Sequence, residues 1–201
     1  MSAVIVKEYL SRAVTDVIAA TKMPCMAVLL SGCSIPGVNN FGEVKEYTSE
    51  YDGIVRREVV PALVHNAKDG ESFFMGIFHV GDSDHVSLIV KVDGVVNISS
   101  MGINIDGNLN EFESNQLTEH DINATDSFVW SWSEKRFVVS VDFLKRMVSA
   151  KRVVIQIRTN EGYLDGDFNK GCNSENDSWV VYACDAFNDF VVKHLKAEIV
   201  K

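Results

Sequence analysis

Asp165, Asp167 and Asn169 set side-chain oxygens at alternate positions of the stretch "DGDFNKG". Alternating oxygen donors are how a calcium loop turns several ligands toward one hard cation. Counted from Asp165, however, the glycine such a loop needs at its sixth position stands at the seventh, as Gly171, and the twelfth position holds Asn176 in place of a bidentate glutamate. These residues make a weak calcium candidate, and a polar hairpin loop is the better reading. His79 and His85 flank a turn carrying Asp82 and Asp84, which reads as a solvated hairpin tip before it reads as a metal site. The remaining histidines, His65, His120 and His194, are scattered. The chain has no GxSxG elbow, no phosphate-binding GxxxxGK[ST] loop and no HExxH pair. With no nucleophile–base set visible, neither an enzyme nor a cofactor is expected. The four cysteines are Cys25, Cys33, Cys172 and Cys184; none sits in a CxxC, so their spacing matches no zinc pattern.

Composition narrows the classes further. The chain has 201 residues, with hydrophobic residues at 46%, charged residues at 23% and a formal charge of −9. That length can bury one core without metals. The acidic balance repels phosphate backbones, and basic residues cluster only in pairs such as Arg56-Arg57 and Lys151-Arg152, so nucleic acid is not an expected partner. No apolar run reaches the roughly 18 residues of a spanning helix.

The elements that must position these residues read mostly as strands. Ser72 to Phe78 and His85 to Val92 are rich in β-formers, with "GDSD" as the turn between them. Asp93-Gly94 is a favoured hairpin dipeptide ahead of "GVVNIS". In "SFVWSWS", Phe128, Trp130 and Trp132 alternate onto one face, which reads as core, before Glu134-Lys135 turns the chain into "RFVVS". Lys151 to Thr159 alternates likewise. The polar segment Asn104 to Asp126 reads as a long exposed loop. Val141 to Ala150 is a short helix with Ser140 or Asp142 as its cap, and the chain closes with a strand over Ser178 to Tyr182 and a helix over Cys184 to Ala197. The expected class is mainly β (α+β): an antiparallel β-sandwich or curled sheet with one inserted short helix and a C-terminal helix.

Upstream of this domain, Lys22 precedes the apolar run "MPCMAVLL", which leads into Leu30-Ser31-Gly32-Cys33. The tetrapeptide resembles the lipobox of bacterial lipoproteins, in which small residues beside the scissile bond admit the peptidase and the cysteine thiol carries the lipid. The resemblance implies a lipidated Cys33 as first residue of the mature chain, a palmitate-type anchor and a membrane partner. The polar, turn-rich "SIPGVNNFGE" that follows suits a tether. Residues 1–32 are then a signal segment, 33–45 a tether and 46–201 a single β-rich domain. The apolar core of that signal is short, and Glu8 and Asp16 precede it, so the other reading is an N-terminal helix with Val4, Tyr9, Leu10, Ala13, Val17 and Ile18 on one face; a start at Met23 would reconcile the two. In the exported case Cys172 and Cys184 remain as an even pair and a possible disulfide. Otherwise both are ordinary thiols, with Cys184 buried.

The order of "EYTSEYDGIVRREVV", an aromatic strand, "VSVDFLKRMVSAKRVVIQIR" and "AFNDFVVKHL" is similar to that of uncharacterised small bacterial lipoproteins. The second half also resembles the C-terminal domain of periplasmic accessory proteins associated with type VI secretion. These resemblances imply a lipid-anchored binding or scaffold domain facing the periplasm, with a protein partner in the cell envelope, and they carry over no activity. The alternative expectation is a cytoplasmic interaction protein whose N-terminal helix packs on the domain.

Overall fold

The computed structural model describes residues 40–66, 72–124, 129–172 and 180–195. The lipobox, with Cys33, lies outside them. The folded unit spans Asn39–Lys201. Among the described residues its ten strands are β1 (Val44–Thr48), β2 (Val55–Asn66), β3 (Phe73–Val80), β4 (His85–Asp93), β5 (Ile98–Ile105), β6 (Asn108–Glu113), β7 (Glu119–Ala124), β8 (Val129–Ser140), β9 (Val153–Thr159) and β10 (Gly162–Asp167). Helix α1 (Val141–Ser149) is inserted between β8 and β9, and α2 (Ala183–His194) follows β10. All ten strands join one antiparallel sheet in the order β6-β5-β9-β10-β2-β3-β4-β8-β7, with β1 on β2. The sheet curls into a half-barrel, so the fold is the curled-sheet form of the expected class and not a sandwich.

Alternation explains the strands that were legible. Phe73, Met75 and Ile77 of β3, Val86, Leu88 and Val90 of β4, and Val153, Ile155 and Ile157 of β9 all point into one buried cluster. Phe143, Leu144 and Met147 of α1 and Phe187, Phe190 and Val191 of α2 fill the same cluster from the helical side. Helix α1 starts where expected because the Ser140 hydroxyl accepts the Phe143 N–H at 3.1 Å, with Asp142 in the first turn and Arg146 in the last.

Strand β2 frames the curl. Its pairing with β3 shifts between Val59 and Ala62, and Pro61, which has no N–H to donate, sits at that bulge. Gly76 of β3 faces the bulge: a Cβ there would stand 2.5 Å from the Val59 carbonyl and 3.1 Å from the Pro61 ring. The other edge of β2 is served in turn by β1, by Gly42 and Glu43 on both sides of Val60, by the Val181 carbonyl on the Leu63 N–H, and by β10 at His65 and Asn66. The β1–β2 turn is locked by Asp52, which accepts from the Ile54 N–H and both arms of Arg56. The Arg56 guanidinium, then the Ile54 amide, hold the Asp52 carboxyl far below the usual carboxylate range.

Six expectations need correction. Glu134-Lys135 is not a turn; β8 runs through it. The faces of β8 are also inverted: Ser133 and Lys135 are buried, whereas Trp130 is 45% exposed. Asp93-Gly94 does not close a hairpin, because β5 leaves β4 and pairs with β6 and β9. Asn104 to Asp126 is not a loop but carries β6 and β7, whose periodicity is faint because most of their residues stay exposed on both faces. At the C-terminal end, Tyr182 makes only an isolated parallel bridge to Leu63, and α2 runs from Ala183 to His194; residues 173–179, part of the expected last strand, lie outside the described residues. Residues 40–45, read above as tether, are tied to the sheet, with Val44 of β1 paired to Val59.

The close approach at Gly76 yields a stability test. Gly76→Ala drives a methyl group into the backbone of the β2 bulge and is expected to cost about 2–3 kcal/mol, read as a lower urea midpoint at unchanged slope.

Candidate functional site

A trough of about 680 Å³ opens on the outer face of β5, β6, β9 and β10. Its floor is made by the residues of β5 that alternate with the buried Met101 and Ile103: Ser100, Gly102 and Asn104. Register places Glu113 and Arg158 beside Ser100, Glu111 and Gln156 beside Gly102, and Leu109 and Val154 beside Asn104. Asp165 and Asp167 of β10 continue the rows beyond Gln156 and Val154. Taller side chains therefore stand on both sides of a low floor, and the volume falls in the range of small-ligand sites.

Both signs of charge line the trough: Glu111, Glu113, Asp165 and Asp167 with Arg152 and Arg158. Among the described residues, none of these six joins an ion pair. Their local bonds are few. Gln156 donates to Asp165 at 2.8 Å, Asp167 accepts the Asn169 N–H at 3.2 Å, and the Arg158 guanidinium lies 5.2 Å over the Tyr163 ring. Glu111 and Glu113 stand on the β6 bank, and Arg152 and Arg158 stand with Asp165 and Asp167 on the β9–β10 bank, an arrangement suited to a polar ligand lying along β5.

The trough contains Asp165 and Asp167, but the calcium candidate does not gather there. Asn169 is turned away, its Oδ1 accepting the Val153 N–H and its Nδ2 donating to Ala150. Asp165 is occupied by Gln156. Asn169 thereby anchors the start of β9, a structural role. His79 and His85 do not converge either. His79 is buried, with Nε2 donating to the Ser83 carbonyl at 2.9 Å and its ring edge-on to Phe190; His85 is exposed at the hairpin tip. Cys172 and Cys184 are joined by a disulfide, Cα to Cα 5.9 Å. That distance lies within the span a bridge requires. It ties the exit of β10 to the first turn of α2.

One pair missed in the sequence resembles a catalytic dyad: His120 Nδ1 lies 2.9 Å from the Ser133 hydroxyl. Hydrogen bookkeeping excludes that role. The Gly94 carbonyl, 2.7 Å from Ser133 Oγ, can only accept, so the single hydroxyl hydrogen goes there. Ser133 Oγ also accepts the Val96 N–H at 2.9 Å. His120 must therefore donate from Nδ1, and it cannot take a proton from Ser133 through that nitrogen. Nearby, the Lys135 ammonium, buried, donates to the Ile98 carbonyl at 2.8 Å, and Thr118 Oγ1 accepts the Ile98 N–H at 3.0 Å. These side chains form a seam that holds β5 against β8.

No known protein family matches the chain, and no curated protein or solved structure was found to be similar to it.

Two outcomes follow from this geometry. Ser133→Ala leaves the Val96 N–H and the Gly94 carbonyl without that partner and is expected to cost about 2–3 kcal/mol, whereas His120→Ala, on the exposed side, costs under about 1 kcal/mol; chemical denaturation separates them. Gly102 needs neither positive φ nor space, since a Cβ there meets its nearest neighbour, Leu109, at 3.8 Å. Gly102→Ala should therefore stabilise by about 0.5–1 kcal/mol, because glycine weakens a strand. A loss of stability would mean that Gly102 serves the fold and not the open floor.

Proposed function

We propose that this chain is a lipid-anchored protein of the bacterial cell envelope, tethered through Cys33, whose β-rich domain faces the periplasm and binds or scaffolds an envelope partner. The observation that supports this reading most is the Cys172–Cys184 disulfide. Disulfides persist in oxidising compartments and are rare in reducing ones. It agrees with the Leu30-Ser31-Gly32-Cys33 pattern, which calls for export on independent grounds. The trough on β5 is the ligand-facing surface in this account, and its unpaired charges favour a polar partner. No helix among the described residues is long and apolar enough to cross a membrane, so attachment in this account runs through the lipid.

The reading is tested on protein from its native host. Intact mass should give a lipid-modified chain beginning at Cys33, with no free thiol at Cys172 or Cys184. Cys33→Ala should move the protein from the membrane fraction to the soluble one. An unmodified chain carrying residues 1–32 and two free thiols would overturn the proposal.

A further inference from the structure

We propose that the end of the sheet where the chain joins the domain is a membrane-contact face that seats on the interfacial layer of the bilayer. The inference rests on the lipid-anchor reading above and adds an orientation to it. The described fold begins at Asn40, seven residues after Cys33. A chain reaches at most 3.3–3.6 Å per residue, so this end of the domain stands within about 25 Å of the anchored cysteine.

What lies at that end is aromatic. Phe41, 40% exposed, stacks on Phe74 with ring centroids 5.3 Å apart, and Phe74 meets Trp132 edge-on at 5.5 Å. Trp130 follows two residues along β8 on the same face, 45% exposed. The row thus starts at the tethered residue and runs across β3 to β8. Tryptophan favours the headgroup level of a bilayer because its ring joins an apolar body to a polar N–H, and the two phenylalanine rings beside it add apolar area. Lys91 lies with its ammonium 5.2 Å over the Trp132 ring, so its charge is partly engaged by the ring face.

Charge selects the kind of surface. Asp93 and Asp121 stand opposite Trp132 on the neighbouring strands, so anionic headgroups are repelled. The contact is apolar insertion into a zwitterionic interface, insensitive to salt. The trough, on β5, β6, β9 and β10, belongs to the half of the sheet beyond β2 and is not part of this face.

The test uses the full chain with Trp179 replaced by Phe, so that Trp130 and Trp132 are the fluorophores. Lipidated protein is reconstituted in phosphatidylcholine vesicles with brominated acyl chains. Emission should shift to shorter wavelength and be quenched, and Trp130→Phe should remove most of the quenching. Separately, the Cys33→Ser chain should partition weakly onto the same vesicles. Phe41→Ser with Trp130→Ser should lower that partition about ten-fold, in line with losing two buried aromatic rings. Tyr51→Ser, an exposed aromatic at the far β1–β2 turn, should leave it unchanged. Lipid in the intact mass with unquenched tryptophans would overturn the membrane face while sparing the anchor, and would leave the row to a protein partner. Absence of lipid in the intact mass would overturn the anchor, and the orientation with it. Partition unaffected by the double replacement would overturn the face in either case.

Discussion

Lys135 places an ammonium inside the domain and hands it to the Ile98 carbonyl. This contact and its neighbour, Ser133 on Gly94 and Val96, hold together two strands that share no backbone ladder. A sheet of ten strands twists, and without closure it leaves its inner face open to water. Here the half-barrel is drawn shut by side chains between β5 and β8, and the two helices fill what is enclosed. A buried ammonium is costly unless bonded, so this seam specifies one arrangement of β5: only one register brings its carbonyl under Lys135.

The rest of the architecture follows from that placement. β5 leaves β4 after Gly94 because Ser133 captures the chain there, and it reaches β9 on the far margin of the sheet. Its inward residues, Met101 and Ile103, enter the core, so Ser100, Gly102 and Asn104 must face outward. The trough floor is therefore a consequence of the seam. On the opposite flank, β2 bends at Pro61 and takes four successive partners along one edge, and the disulfide fastens the part of the chain that supplies two of them, β10 and Val181. The aromatic row is carried by β3 and β8, away from the trough. One sheet thus carries a polar trough and an aromatic row on separate parts, the two surfaces that the proposed tethered module would use.

How much of this was legible depended on where each side chain points. β3, β4 and β9 were readable because their inward positions meet an apolar core and their alternation is clean. Helix α1 was readable from Ser140 and an apolar stripe. β8 misled because its inward residues near the seam are Ser133 and Lys135, polar groups satisfied by distant carbonyls, whereas its outward residues are tryptophans. Local pattern reports polarity, and here tertiary bonding reversed its meaning. β6 and β7 were invisible for a related reason: as edge strands they are exposed on both faces, and little alternation survives. The trough had no catalytic signature to find. Its one available signal was the sequence Ser100-x-Gly102-x-Asn104, small and polar residues alternating with Met101 and Ile103. The cysteine pair could be named from the sequence, but its contact depends on β10 and α2 meeting beside β2, which no spacing dictates.

The seam between β5 and β8 holds the curl, and amide hydrogen exchange reads it directly. The Val96 and Ile98 N–H groups bond to Ser133 Oγ and Thr118 Oγ1, side chains from elsewhere in the chain. If the seam closes with the core, both amides exchange only on global unfolding, at the rate of central amides such as Leu88. Exchange as fast as that of the exposed edge strand β6 would show that β5 and β8 part freely, and would contradict the account.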